Sequence, residues 1–288
     1  MNEPRIVRSG VALPRQLADR AREISDGRLA PAVPRDAATV ILLRQAASGV
    51  EAFLLRRTAE LEFAPGACVF PGGSVDARDA DENTGWAGPS PADFGRLLDV
   101  PPDRARALVC AAVRETFEES GVLLAGSSPA DLVSDSAALA RDRHALLTGQ
   151  TTLVEVLSRR SLVVRADLLT PWARWITPEA SPRRYDTWFF AAALPPGQTA
   201  TAAPEGHADP GESESGTWLR PATALEAAQA GQITLLPPTA VTLGELAGHH
   251  DVAGILTRRP AITPRLPKVI VEDGRARLAM PQPGEERP

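Results

Sequence analysis

The stretch from Asp103 to Gly121 constrains this chain most, because only one kind of surrounding satisfies it. At roughly 100° per residue, Arg114, Glu115, Glu118 and Glu119 share one arc of a helix, while Val109, Cys110, Val113, Thr116 and Phe117 take the opposite arc. The second arc must be buried. The first carries three glutamates at i, i+3 and i+4, and such repulsion disfavours an isolated helix by about 0.2–0.5 kcal/mol per pair. Arg114, four residues before Glu118, offsets only part of this. Two settings satisfy the anionic arc: a solvated, salt-bridged surface, or a divalent cation such as Mg²⁺ or Mn²⁺, which are hard ions that take oxygen ligands. Gly121 is a good residue to stop the helix.

Around this helix the chain reads as α/β. Residues 1–35 are Arg/Pro-rich with a short amphipathic stretch from Leu17 to Ile24, expected to be an arm on the surface. Thr39–Leu43 and Ala52–Leu55 are β-prone runs around Ser48-Gly49, which predicts a hairpin. A third run, Ala67–Phe70, meets Pro71-Gly72-Gly73, where the two glycines are expected to end the strand. Ser74 to Asp103 is acidic and turn-rich, a long loop with one helical turn near Phe94 to Leu98. Pro129 to Ser161 predicts one or two helices with a break at Gly149-Gln150. Strand character returns at Trp172–Ile176, Thr187–Ala193 and Thr217–Leu219, the last preceded by a polar loop over Glu205–Glu214. Short helices are expected at Ala222–Ala230, Thr239–Ala247 and Asp251–Arg258, then a Pro-rich tail.

Composition removes several classes of function. With a net charge of −5 and a pI near 5.5, no basic field exists to hold nucleic acid or an anionic membrane. Two cysteines, Cys68 and Cys110, and four histidines cannot build a disulfide framework or a four-ligand zinc site, so metal chemistry must use carboxylates. His249-His250-Asp251 reads as a helix-terminal surface, because adjacent helical residues point apart. No apolar stretch approaches a membrane span, and no signal or transit pattern is present, so a soluble cytoplasmic protein is expected. Walker A, Rossmann and serine-hydrolase patterns are absent.

Gly73, Asp79 and the run Arg114-Glu115-Thr116-Phe117-Glu118-Glu119-Ser120-Gly121-Val122 resemble the signature of the Nudix hydrolases. Three positions depart from it. Asp79 stands for a glutamate, Thr116 for an apolar residue, and 34 residues rather than seven separate Asp79 from Arg114. Loop-closure entropy grows slowly with length, so such an insertion can be extruded without parting the two half-motifs. The interrupted box is similar to that of the peroxisomal coenzyme A diphosphatase-like subgroup, which shares Phe70-Pro71-Gly72-Gly73, a Trp in the insertion (Trp86), Gly121-Val122-Leu123-Leu124, Trp175-Ile176-Thr177-Pro178 and Arg184 to Phe190.

The resemblance implies a Nudix-type α/β/α sandwich with a mixed central sheet. It divides the chain into an arm (1–35), a catalytic domain (36–235) with insertions over 80–106 and 127–160, and a C-terminal helical extension and tail (236–288). Glu115, Glu118, Glu119 and the carbonyl of Gly72 would hold Mg²⁺ or Mn²⁺, Arg114 would orient the glutamates, and Gly73 would lie against the substrate. The implied reaction is hydrolysis of a phosphoanhydride in a nucleoside diphosphate linked to another group. Glu205, Glu212 and Glu214 are candidates for the base alongside the box glutamates. A second element of the coenzyme A-cleaving enzymes is met at Arg57, Gly66 and Phe70–Gly73, but Glu62 stands where a second arginine is expected. Coenzyme A or its thioesters are therefore weighed against ADP-ribose, dinucleotides and nucleotide sugars, and against a non-catalytic regulatory domain that binds a nucleotide. Relatives of this kind are often dimers, so a homodimer is the one protein partner implied, although no interface signal is visible.

Overall fold

The β-prone runs around Ser48-Gly49 form the expected hairpin. Strands β1 (Arg35–Ala46) and β2 (Gly49–Arg57) pair antiparallel from Ala46 opposite Gly49 to Leu43 opposite Ala52. Beyond that point they part, and the following segment fills the wedge. β3 (Ala67–Val69) lies against β2 with Val69 opposite Leu55, and β4 (Gly72–Ser74) lies against β1 with Gly72 opposite Thr39. The two glycines thus do more than end the third strand; they open a fourth, hidden in the sequence because Gly-Gly has no β propensity of its own. Gly72 is required by close approach: a Cβ there would collide with Ala38 O and with Thr39.

A computed structural model describes residues 15–58, 66–202, 213–258, 261–272 and 275–280. Its main sheet also contains β8 (Thr170–Ile176), β9 (Tyr185–Ala193), β10 (Ser213–Leu219), β11 (Thr234–Leu235) and β12 (Pro264–Arg265). The order is β11-β3-β2-β1-β9-β8-β12, with β4 on β1 and β10 on β2. β9 runs parallel to β1 from Tyr185 opposite Arg35 to Ala193 opposite Leu43, while β8 is antiparallel to β9, so the sheet is mixed.

Alternation along β1 and β9 gives the sheet two apolar faces. Val40, Leu42, Trp188 and Phe190 point to one side, and Ile41, Leu43, Phe189 and Ala191 to the other. The first side is covered by α2 (Pro91–Leu98), the carboxylate helix α3 (Pro102–Ser120), and apolar residues of α4 (Ala140–Leu147) and α5 (Leu153–Arg159). Ala224, Leu243, Leu246 and Ile255 of α6 (Pro221–Gln229), α7 (Pro237–Leu246) and α8 (Val252–Leu256) cover the second. The result is the expected α/β/α sandwich. All five residues assigned to the buried arc of α3, Val109, Cys110, Val113, Thr116 and Phe117, are buried.

Two further expectations need correction. The segment 74–103 is not one long loop: a 3₁₀ turn at Ala77–Ala80, strand β5 (Trp86–Ala87) and α2 occupy it, α2 being started by reciprocal Ser90–Asp93 capping. β5 pairs with β7 (Val163–Arg165), which also pairs with β6 (Ala125–Gly126), so the insertion is stitched to the far end of the second one. The C-terminal segment is not purely helical with a tail. β13 (Lys268–Glu272) and β14 (Arg275–Ala279) form an antiparallel hairpin against α1 (Arg15–Ser25), the helix of the N-terminal arm. Prolines at 264 and 267 had masked the β-branched run Val269-Ile270-Val271. Among the described residues no helix is long and apolar enough to cross a membrane.

Candidate active site

The wedge filled by β3 and β4 delivers Gly72, Gly73 and Ser74 to the anionic arc of α3. The centre of the arrangement is Arg114. Its Nε donates to Asp79 Oδ1 (2.9 Å) and its Nη2 to Asp79 Oδ2 (2.9 Å) and to Ser74 O (2.9 Å). Its Nη1 donates to Glu115 Oε1 (2.8 Å) and, at 3.3 Å, to Glu118 Oε2. Asp79, the residue in place of the signature glutamate, is itself fixed: its Oδ2 accepts the Asp76 N–H (2.8 Å) in the cap of the 3₁₀ turn. The insertion therefore leaves the two half-motifs in contact. Burial works against the Arg114 charge, yet Asp79, Glu115 and Glu118 outweigh it and hold the pKa above its ordinary value.

Glu115 and Glu118 are half-buried and share a single nitrogen of Arg114. Side-chain exposure is 13% for both Glu115 and Glu118. Burial pushes Glu115 up to about 7, with Glu118 adding to the rise and Arg114 opposing it. Glu118 is raised for the same first reason. Glu119 turns toward β4, where its Oε2 accepts the Gly72 N–H (2.7 Å). Gly73 is the floor beneath Glu115, since a Cβ there would strike that carboxylate. In donor chemistry and charge these residues fit a hard divalent cation. They do not converge: Arg114 Nη1 sits between Glu115 and Glu118, and among the described residues no three His, Cys, Asp or Glu side chains are grouped as a metal site.

A cleft of about 210 Å³ opens beside the cluster. Asp76, Arg78, Asp79, Arg114 and Glu118 line one wall, and Leu146, Leu147, Gly149, Thr151, Thr152 and Leu153 of the helical insertion line the other. Arg143 of α4 joins the walls. Its Nε donates to Glu118 O (2.9 Å) and its Nη2 to Thr201 O (3.0 Å). Burial lowers its pKa to about 10, against the favourable charge of Glu119. Sequence reasoning missed Arg143, because Arg141-Asp142-Arg143-His144 has the pattern of a solvated helix face.

The other expected residues lie elsewhere. Arg57 ends β2, its Nε buried without a hydrogen-bond partner among the described residues, and neither it nor Gly66 lines the cleft. Glu62, Glu205 and Glu212 lie outside the described residues, and Glu214 is described only as backbone of β10. Asp251 caps α8 by accepting the Gly254 N–H, and His249 packs edge-on against Trp172. Cys68 and Cys110 are buried thiols, the latter pushed up to about 12 by that burial.

Residues 92–246 match the family described as the NUDT19 Nudix domain. An acyl-coenzyme A diphosphatase NUDT19 of Gallus gallus is 29% identical over 228 residues, covering 65% of this chain and 58% of that protein. A putative nudix hydrolase 7 of Caenorhabditis elegans is 30% identical over 219 residues, covering 75% of this chain and 62% of its own length. The chain thus spans about three fifths of these relatives. In fold, a NUDIX hydrolase from Alicyclobacillus acidocaldarius superposes with a TM-score of 0.60 at 24% identity, over 80% of this chain and 98% of that one.

Proposed function

The chain belongs to the Nudix family described by the NUDT19 domain, and from that membership we propose a divalent-metal-dependent hydrolase that cleaves the phosphoanhydride of coenzyme A or acyl-coenzyme A. The observation that carries this reading is the way Arg114 is held. Asp79 and Ser74 O occupy its Nε and Nη2, so only Nη1 is given to the glutamates. A cation can take over that one contact without loosening the arginine, and it would bring Glu115 and Glu118 more positive charge than the single Nη1 supplies.

Glu115, Glu118, Glu119 and the Gly72 carbonyl would hold Mg²⁺ or Mn²⁺. When bound, the cation supplies charge against the diphosphate and favours deprotonation of the attacking water. The protein's own part is positional. Asp79 fixes Arg114, Arg114 fixes the carboxylate arc, and the bare Cα of Gly73 leaves Glu115 its place. The substrate is carried over from the name of the chicken relative. Arg57 and Gly66 would meet the nucleotide half from the β2 end, away from the cleft beside Glu118.

The test is turnover of coenzyme A, acetyl-coenzyme A, ADP-ribose and diadenosine substrates with Mg²⁺ or Mn²⁺, products identified. Coenzyme A should yield two phosphorylated halves, and Glu119→Gln should lower kcat by at least about a hundredfold. Unimpaired turnover in Glu119→Gln would falsify the ligand assignment. Tight binding of one substrate without any cleavage would favour a regulatory role instead.

A further inference from the structure

The helix that carries the glutamates ends directly after them, and the carbonyls of that end need donors. Phe117 O accepts the Gly121 N–H (2.9 Å), and Ser120 O accepts the Thr201 N–H (2.8 Å) from the loop after β9. Glu118 O accepts from Arg143 Nε (2.9 Å), and Arg143 Nη2 donates onward to Thr201 O (3.0 Å). The guanidinium thus spans the end of α3 and the loop lying against it. That loop is fixed a second time, because Gln198 accepts the Leu123 N–H and donates to Leu123 O, both at 2.9 Å.

The seat is shaped for an arginine. Gly121, at φ 72°, lets the chain turn, and a Cβ on it would stand 2.8 Å from Arg143 Nη1. Glycine therefore serves twice here, ending the helix and leaving room for the guanidinium. Arg143 is buried, and its partners are main-chain carbonyls and the Thr201 hydroxyl rather than a carboxylate. Burying a full charge on neutral partners is costly, and closing a helix end does not require it, since a glycine turn already satisfies carbonyls. What the cation adds is positive charge at the negative end of the helix dipole, on the Glu118 carbonyl and beside Glu119. Its root is anchored as well. Asp142, the preceding residue of α4 and itself buried, accepts from Arg159 (2.9 Å) and Arg160 (2.7 and 2.9 Å) at the end of α5.

We propose that Arg143 is a positioning residue for the reaction. Its guanidinium clamps the last turn of α3 against the loop after β9, and this sets where the Glu118 and Glu119 carboxylates stand for a divalent cation. The inference rests on the hydrolase reading above and deepens it, giving the helical insertion a part in the metal chemistry that it plays through the glutamates.

The experiment uses the full chain: wild type, Arg143→Met, Arg143→Lys and a control in the same insertion, Val156→Ala, which opens a cavity at a fully buried position of α5 without touching the clamp. Mn²⁺ binding is measured by calorimetry, and kcat and KM on coenzyme A at saturating Mn²⁺. Arg143→Met should bind Mn²⁺ about tenfold more weakly and turn over about ten- to a hundredfold more slowly, with KM within about twofold of wild type. Arg143→Lys keeps the charge, but one ammonium cannot span both carbonyls, so it should fall between. Val156→Ala should match wild type in affinity and kcat. Arg143→Met, folded by circular dichroism and with wild-type Mn²⁺ affinity and kcat, overturns the inference and leaves the hydrolase reading standing. Equal losses in Val156→Ala overturn it too, because any loosening of the insertion would then suffice. If Arg143→Met does not fold, Arg143→Lys decides on the same measurements. If the wild type binds Mn²⁺ but cleaves no diphosphate, the hydrolase reading fails and calorimetry decides alone: unchanged affinity in Arg143→Met overturns the positioning role. A wild type that binds no Mn²⁺ overturns both.

Discussion

Taking the carboxylate away from beneath Arg114 strands a buried charge. Asp79 is 2% exposed at its side chain and Arg114 14%, so Asp79→Ala should cost about 3–5 kcal/mol in urea unfolding. A loss below about 1 kcal/mol would mean that the pair does not organise the site. Gly73→Ala separates position from stability: the added methyl displaces Glu115, so divalent-cation stabilisation should disappear while the sheet survives. In thermal unfolding the wild type should gain about 2.7 kcal/mol at a hundred times the cation's Kd, and Gly73→Ala should gain none. The glutamate arc was legible in the sequence because helical spacing is local. The Asp79–Arg114 pair was expected only through the resemblance, as two half-motifs left together, since no local rule says that a segment of 34 residues returns to its start.

At the scale of elements, periodicity located what packs through its own side chains and missed what depends on a neighbour. Helices α3, α4 and α5 stand where the apolar spacing and the Gly121 and Gly149 breaks put them. β4 and β5 escaped because Gly72–Ser74 and Trp86–Ala87 become strands only by pairing with β1 and β7. Arg143 belongs to this scale, as the link between α4 and α3. Arg143→Met leaves the Glu118 and Thr201 carbonyls without their donor, an expected loss of about 1–3 kcal/mol by chemical denaturation. The loss should come with faster hydrogen exchange over 140–159 than over 102–113. Equal exchange in both segments would show that the insertion is held by other contacts.

Across the whole molecule, the ends of the described chain meet: α1 packs against the β13–β14 hairpin, and Arg20 Nε donates to Ala180 O (2.9 Å). A chain stopped after residue 262 should therefore expose α1, and trypsin should cut near Arg20 and Arg22 much sooner than in the intact protein. Unchanged cleavage would mean that Ala180 alone anchors the helix. The miniature sheet has a different consequence. One insertion contributes β5 and the other leads into β7, so the two are a single module closed by backbone hydrogen bonds. The second transplanted alone into a plainer relative would bring the far wall of the cleft but leave β7 with an open edge where β5 pairs, and the first alone would bring β5 with no partner. The cleft in this architecture should thus move between proteins only as a matched pair of segments, however far apart they stand in the chain.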